Sequence, residues 1–334
     1  MNTMKKAFPK ILCLILAVLM IASCFAGCGK KKKKIVVYAT SEDFRIDMVQ
    51  KMLSDKFPEY DIHVQYKSTG DLAVLLKESG KNSDIDIIYE LETNHLESQK
   101  DKLAVLENVD FSKYLDELVP QHHRYVPLIR TSGAIIVNKK MLESKGLPVP
   151  TCYDDLLKPE YKGLISMSNP SSSGTGYIFY LNMVNVRGEE AALAYFDALA
   201  KNISGAGFTA SGSGPIAALR MGEAAIGLGM TFQAVNEINA GAEYEILFFD
   251  EGSPYNTYSC AVLEGKQNDE DVMKVFNYIL SDVAPKDNEL YTPEKIFKDK
   301  SFSLKNFPEN IPYADMTGLT DVTKKASLLD KWKY

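Results

Sequence analysis

Two short segments carry the residue types from which an anion site is built. Asn169-Pro170-Ser171-Ser172-Ser173-Gly174-Thr175-Gly176-Tyr177 follows an apolar run and opens a helical pattern, and Thr209-Ala210-Ser211-Gly212-Ser213-Gly214-Pro215 does the same further on. A helix N-terminus exposes unpaired N–H groups and about half a positive charge. Glycine lets backbone approach an oxyanion closely, and Ser and Thr hydroxyls add neutral donors. Either segment alone is explained by helix capping, for which Ser and Pro are ordinary choices. Two of them in one half of the chain point to a shared anion. Neither ends in Gly-Lys-Ser/Thr, which excludes a Walker-type phosphate loop.

The opposite wall of such a site is expected at the C-terminal ends of the strands in the first half of the chain, where doubly wound sheets bind ligands. Thr40 and Ser41, Ser68 and Thr69, and Glu90 and Glu92 occupy those ends. Glu90 is placed to hold the amine of a zwitterionic ligand, and Arg45 to reach the cleft from the following helix. The four histidines, His63, His95, His122 and His123, lie apart from the Ser/Gly segments in sequence. No catalytic residue, metal cluster or cofactor motif is therefore assigned. An extracellular phosphate-processing enzyme is the weakest reading.

The elements that must position these residues alternate. Ile35–Thr40 is a continuous apolar run typical of a buried parallel strand; a helix is predicted over Asp43–Phe57, a strand over Asp61–Lys67, a helix over Gly70–Ser79 and a strand over Ile85–Tyr89. A second series runs through strands at Ala134–Asn138, Leu164–Ser168, Ala225–Met230 and Glu245–Phe249. Helices are predicted from about Ser172 to Val186, over Glu189–Lys201 and over Phe232–Asn239, with a late one over Asp269–Leu280. The fold class is α/β: two doubly wound lobes joined by hinge strands near Leu128–Ile135 and Phe248–Val262. Lobe 1 is expected to be discontinuous, 35–127 plus 257–334, with 128–256 as lobe 2.

The 334 residues include 38 Lys or Arg and 44 Asp or Glu, with 46% hydrophobic residues and a sequence pI near 5.4. Disorder and a basic nucleic-acid binder are excluded. Lys5, Lys6 and Lys10 precede the apolar run Ile11–Ala22. As a helix that run rises only about 18 Å against a hydrocarbon core of about 30 Å, so it reads as a secretory signal over 1–27. Ile21-Ala22-Ser23-Cys24 and Phe25-Ala26-Gly27-Cys28 both fit a lipidation box. Cys28 is preferred because Gly29 and Lys30 to Lys34 follow it as a tether over 28–34, with Cys24 as the alternative. Cleavage before Cys28 removes three of the 38 basic residues and none of the 44 acidic ones, leaving a charge of −9. Cys152 and Cys260 match no metal-site spacing.

At this point the chain resembles the extracellular solute-binding lipoproteins of bacterial ABC importers. The resemblance is carried by Ile35–Thr40, Gly133-Ala134-Ile135-Ile136-Val137-Asn138, Leu147-Pro148-Val149-Pro150 and Tyr153-Asp154-Asp155-Leu156-Leu157. Pro159-Glu160-Tyr161-Lys162-Gly163, Asn169–Tyr177 and Gly222-Glu223-Ala224-Ala225-Ile226-Gly227 continue it. The chain is most similar to the branch of ferric-iron, aminoethylphosphonate, phosphoglycerate and hexose-phosphate binders, with the type II periplasmic-binding-protein fold. The resemblance implies anion binding by Ser172, Ser173, Gly174 and Thr175, with further donors from Thr209, Ser211 and Ser213. Ferric binders of this branch carry adjacent tyrosines after the strand matching Ala225–Met230. Here Thr231 and Phe232 stand in those places, so an organophosphate or phosphonate is favoured over iron or a polyamine, with Thr231 kept among the ligand-binding positions. The implied partners are the small anion, a membrane permease and the membrane itself through the lipid anchor. A ligand-sensing module is the other use of the same site. The chain is expected to be a monomer at the outer face of the cell membrane, without a nucleic-acid partner.

Overall fold

The computed structural model describes residues 32–79, 83–205 and 207–334, so the segment expected to be a signal and both lipidation candidates, Cys24 and Cys28, lie outside the described residues. Strand β1 (Lys33–Ala39) lies between β2 (Tyr60–Tyr66) and β3 (Ile87–Glu92), parallel to both, with helices α1 (Asp43–Lys56) and α2 (Thr69–Ser79) as crossovers. Alternation along β1 serves two cores at once. Ile35, Val37 and Ala39 pack with Val49 and Leu53 of α1, while Val36 and Tyr38 pack with Leu72 and Leu76 of α2. Lys33 and Lys34, expected in the tether, are the first residues of β1, and Lys33 Nζ is paired with Asp269 and, at 3.2 Å, with Asp271.

After α3 (Thr93–Ser98) the chain enters β4 (Val126–Asn138), a long strand that serves both halves of the sheet. Its first part pairs antiparallel with β8 (Tyr255–Val262), up to Ser132 opposite Tyr255. From Gly133 its partners become β6 (Ile226–Met230) and β7 (Tyr244–Leu247). Beyond α4 (Lys139–Ser144), β5 (Ile165–Met167) runs parallel to β6, giving the order β2-β1-β3-β8-β4-β6-β5 with β7 also on β4. Helices α5 (Gly174–Arg187), α6 (Glu189–Leu199), α7 (Gly214–Met221) and α8 (Thr231–Asn239) cover the second half. Ile135, Val137, Leu228 and Met230 pack toward α5 and α6, and Ala134 and Ile136 toward α7 and α8.

Helix α9 (Glu270–Tyr278), a π-helical turn at Ile279–Val283 and α10 (Ala284–Leu290) return to the first half, with Val275, Phe276 and Ile279 against Ile35 and Val37. One expected boundary is corrected. The chain from Ala314 onward, assigned above to lobe 1, crosses again and packs on lobe 2 through helix α11 (Val322–Asp330). The Trp332 ring lies 5.2 Å from that of Tyr180 and 5.4 Å from that of Phe196, and burial of such large aromatic surfaces outweighs sequence order. Cys152 is an exposed free thiol and Cys260 a buried one, whose pKa burial pushes far up. No helix among the described residues is long and apolar enough to cross a membrane.

Candidate functional site

The two Ser/Gly segments lie against each other. Asn169 N donates to Thr209 O at 2.8 Å and Thr209 N to Met167 O at 3.0 Å, which lays the second segment beside the end of β5. Ser168 Oγ donates to Ser211 O and Ser172 Oγ to Ala210 O, each at 2.9 Å. A Cβ on Gly212 would stand 2.6 Å from Thr175 Oγ1 and 3.2 Å from Ser173 Oγ, so the loops touch where any side chain would have to push the Thr175 hydroxyl aside. A Cβ on Gly176 would stand 2.3 Å from Ser168 O, which is how α5 starts so close to the strand end. Ser173 is the N-cap, its Oγ accepting from Gly176 N at 3.5 Å. Among the described residues the amides of Gly174 and Thr175 have no acceptor.

Both helix starts line one cavity of about 630 Å³ between the lobes. Ser172, Ser173, Gly174, Thr175, Ser211 and Ser213 all face it, so six of the positions expected from sequence come together. Lobe 1 contributes Glu92 at the end of β3, His95 of α3 and Thr69 at the start of α2, with Thr131, Asn256 and Tyr258 from the hinge strands. Glu92 reaches across the cleft toward the second lobe. Its Oε1 accepts from Asn256 Nδ2 at 2.7 Å and lies 3.2 Å from where a Gly174 Cβ would be, beside the α5 N-terminus. Lys325 of α11 supplies a cation, its Nζ 4.7 Å from the centre of the Tyr177 ring. Burial holds the His95 imidazole below its ordinary pKa, against the pull of Glu92 and with help from Lys325. Burial also raises the Tyr258 phenol, with Glu92 and Glu90 adding to it.

Other expected positions lie elsewhere. Glu90 is buried, paired with Arg45 at 2.8 Å and bonded by the Ser41 hydroxyl, while Thr40 Oγ1 donates to Glu90 O at 3.2 Å. Arg45 is itself held by Asp287 through Nε at 2.9 Å and NH2 at 2.6 Å, so its charge is neutralised internally. Burial pushes the Glu90 carboxyl up while Arg45 draws it down. Thr40, Ser41 and Glu90 therefore stand behind the cavity, not in it. Thr209 also stands outside the lining, with its hydroxyl donating to Ser211 O at 3.2 Å. Thr231 is fully buried, its hydroxyl 2.7 Å from Ser132 Oγ at the point where β4 changes partners. His122 bonds Glu97 at 2.9 Å, His123 stacks on Phe111, and His63 lies beside Asp61, all away from the cavity. No group of three His, Cys, Asp or Glu among the described residues is arranged to hold a metal ion.

Asn256, Tyr258, Thr131, His95 and Lys325 line the cavity without having been singled out from sequence. Alternation along β8 offered a signal for the first two, since 256 and 258 share a face. For Lys325 no local signal exists, because its place depends on the tail crossing to lobe 2.

A family model described as bacterial extracellular solute-binding protein matches residues 86–291, more than half of the chain. An uncharacterized protein of Haemophilus influenzae is 27% identical over 278 residues, 79% of this chain and 78% of its own. The periplasmic binding protein AfuA of Actinobacillus pleuropneumoniae, with exogenous fructose-6-phosphate bound, superposes with a TM-score of 0.74 at 19% identity, over 90% of this chain and 98% of its own. Iron-bound HitA of Pseudomonas aeruginosa gives 0.73 at 18% identity, over 90% and 100%. At these identities the two structures establish a shared fold.

Proposed function

The chain belongs to the bacterial extracellular solute-binding protein family, and we propose that its solute is a small organic phosphate or phosphonate whose organic part carries hydrogen-bond donors or a positive charge. It is the substrate-binding protein of an ABC importer for small solutes, a carrier and not an enzyme. The observation that carries the finer reading is the contact between two Ser/Gly helix starts in one interlobe cavity. Lys325 and Glu92 offset each other there, so attraction for an anion comes from helix dipoles, the free Gly174 and Thr175 amides and the Ser173 and Thr175 hydroxyls. Hydrogen bonds to an ionised acceptor contribute roughly 1.5–3 kcal/mol each, so four preorganised donors suffice for an affinity on the micromolar scale. Glu92 beside the α5 N-terminus would repel a bare anion. It therefore selects a ligand whose organic part offers a hydroxyl proton or a cationic group. The fructose-6-phosphate bound to AfuA, on the same fold, is of this class.

Capture works by population shift: a ligand touching α5 and α7 on one side and Glu92 and Asn256 on the other stabilises the closed arrangement. β4 is the natural hinge, because its partners change between Ser132 and Gly133. Iron is disfavoured because Thr231 and Phe232 offer no phenolate, and Thr231 is bonded away at Ser132. The lipid anchor on Cys28, or on Cys24, belongs to the same reading, as does delivery to a membrane permease.

A thermal-shift screen of the body from residue 32 tests it, with glycerol phosphate, phosphoglycerate, hexose phosphates, aminoethylphosphonate, inorganic phosphate, polyamines and Fe(III) citrate. Ligand at about 100 times Kd adds roughly 2.7 kcal/mol, or about 4 °C for a body of roughly 300 residues. The expected shift is confined to phosphorylated or phosphonate compounds and is lost in Ser173→Asp, which puts a carboxylate at the helix start. A shift by Fe(III) or a polyamine alone overturns the reading.

A further inference from the structure

A second cavity of about 330 Å³ shares Thr131, Phe232 and Tyr258 as walls with the first. It too lies between the lobes, with α1, α10 and the hinge strands on one side and α8 on the other. Its chemistry is opposite to that of the helix starts. Phe44, Phe232, Tyr258 and Tyr291 supply aromatic surface, with the Phe44 and Tyr291 rings 5.0 Å apart and edge-on. Glu42 and Glu90 also line it, and the only lining cation among the described residues, Arg45, already answers those two carboxylates and Asp287 behind them. One guanidinium against three carboxylates leaves the compartment electronegative.

Two residues of its wall carry unpaired hydroxyls. Thr131 is 6% exposed and Thr292 7%, and the Oγ1 of each is buried without a partner among the described residues. Both residues line this space.

We propose that the side cavity is a second subsite that takes an organic cation with apolar substituents, covalently part of the same ligand whose phosphate or phosphonate rests on the α5 and α7 starts. Aromatic faces attract such a cation through their quadrupoles, and Glu42 and Glu90 supply the countercharge. The assignment rests on the anion reading above and narrows the solute to a zwitterionic organophosphate. Phe232, standing where iron binders carry a tyrosine, becomes a shared wall between head and tail subsites.

The test is isothermal titration with two probes, glycerol phosphate and phosphocholine, which share a phosphate monoester and differ in the trimethylammonium group. The unsubstituted protein is expected to bind phosphocholine at least tenfold more tightly. Leu290→Trp fills the cavity from its exposed rim, and Glu42→Gln removes a carboxylate that is largely in solvent. Each is expected to leave glycerol phosphate within twofold and to cut the phosphocholine advantage, the first to nothing and the second about threefold. Equal affinity for the two probes in the unsubstituted protein, or an advantage untouched by Leu290→Trp, overturns the second subsite while leaving the anion site standing. Binding of neither probe refutes the anion reading and this inference together.

Discussion

Glu294 gives the hinge a pH dependence whose size follows from its surroundings. The side chain is buried, and its carboxylate accepts from Ser132 N at 2.7 Å, Ser132 Oγ at 3.0 Å and Tyr313 OH at 3.1 Å. Arg130, whose guanidinium lies 3.6 Å from the Tyr313 ring centre, is the nearby cation. Burial nevertheless dominates and pushes the Glu294 pKa up from 4.5 to about 7, against the hydrogen bonds and Arg130. A raised carboxyl pKa means that the folded protein holds a proton the unfolded chain has released. The stabilisation is fully present below pH 4.5 and is lost as pH rises through about 7. At about 1.36 kcal/mol per pKa unit, that window amounts to on the order of 3 kcal/mol. Glu294→Gln keeps an acceptor for Ser132, turns an amide N–H toward the Tyr313 hydroxyl, which can accept it, and cannot ionise. Denaturation of both proteins at pH 5 and pH 8 is expected to show similar stability at pH 5 and a variant more stable by roughly 3 kcal/mol, about 5 °C, at pH 8. Parallel stability curves, or a variant that loses ground as pH rises, would refute the reasoning.

Gly176→Ala drives a Cβ to within 2.3 Å of the Ser168 carbonyl. It is expected to cost about 2 to 3 kcal/mol in chemical denaturation and, by pushing α5 off the strand end, to weaken phosphate-ester binding measured by titration. Mass spectrometry of the membrane-extracted protein is expected to find a diacylglyceryl cysteine at the mature N-terminus, at Cys28 with Gly29 following. Modification at Cys24 would move the cleavage site, and an unmodified soluble form would remove the anchor.

Local periodicity announced most of the elements that carry the site. β1, α1, β2, α5, α6 and α9 lie close to where apolar spacing put them, because each buries a stripe or a face against the sheet. The two helix starts were legible because capping residues and glycines sit at fixed offsets from the strand ends. The opposite wall was not. A strand end names several polar residues, and simple alternation would set Glu90 and Glu92 on one face; beside the irregular register between Ile88 and Leu91, Glu92 lines the larger cavity while Glu90 is turned to Arg45 and Ser41. The tail misled for a different reason. Trp332 and Leu328 show no strong local pattern, and their burial depends on Tyr180, Phe196 and Phe208, more than a hundred residues away in the chain.

The most direct test of the central claim is a crystal structure of the body grown with a phosphate ester that shifts its melting temperature. The account predicts the phosphorus between the lobes, its oxygens roughly 3 Å from the Gly174 and Thr175 amides and the Ser173 hydroxyl, with the Glu92 carboxylate facing the organic part. An anion bound away from both helix starts, or a metal ion ligated by protein side chains in the cleft, would contradict it.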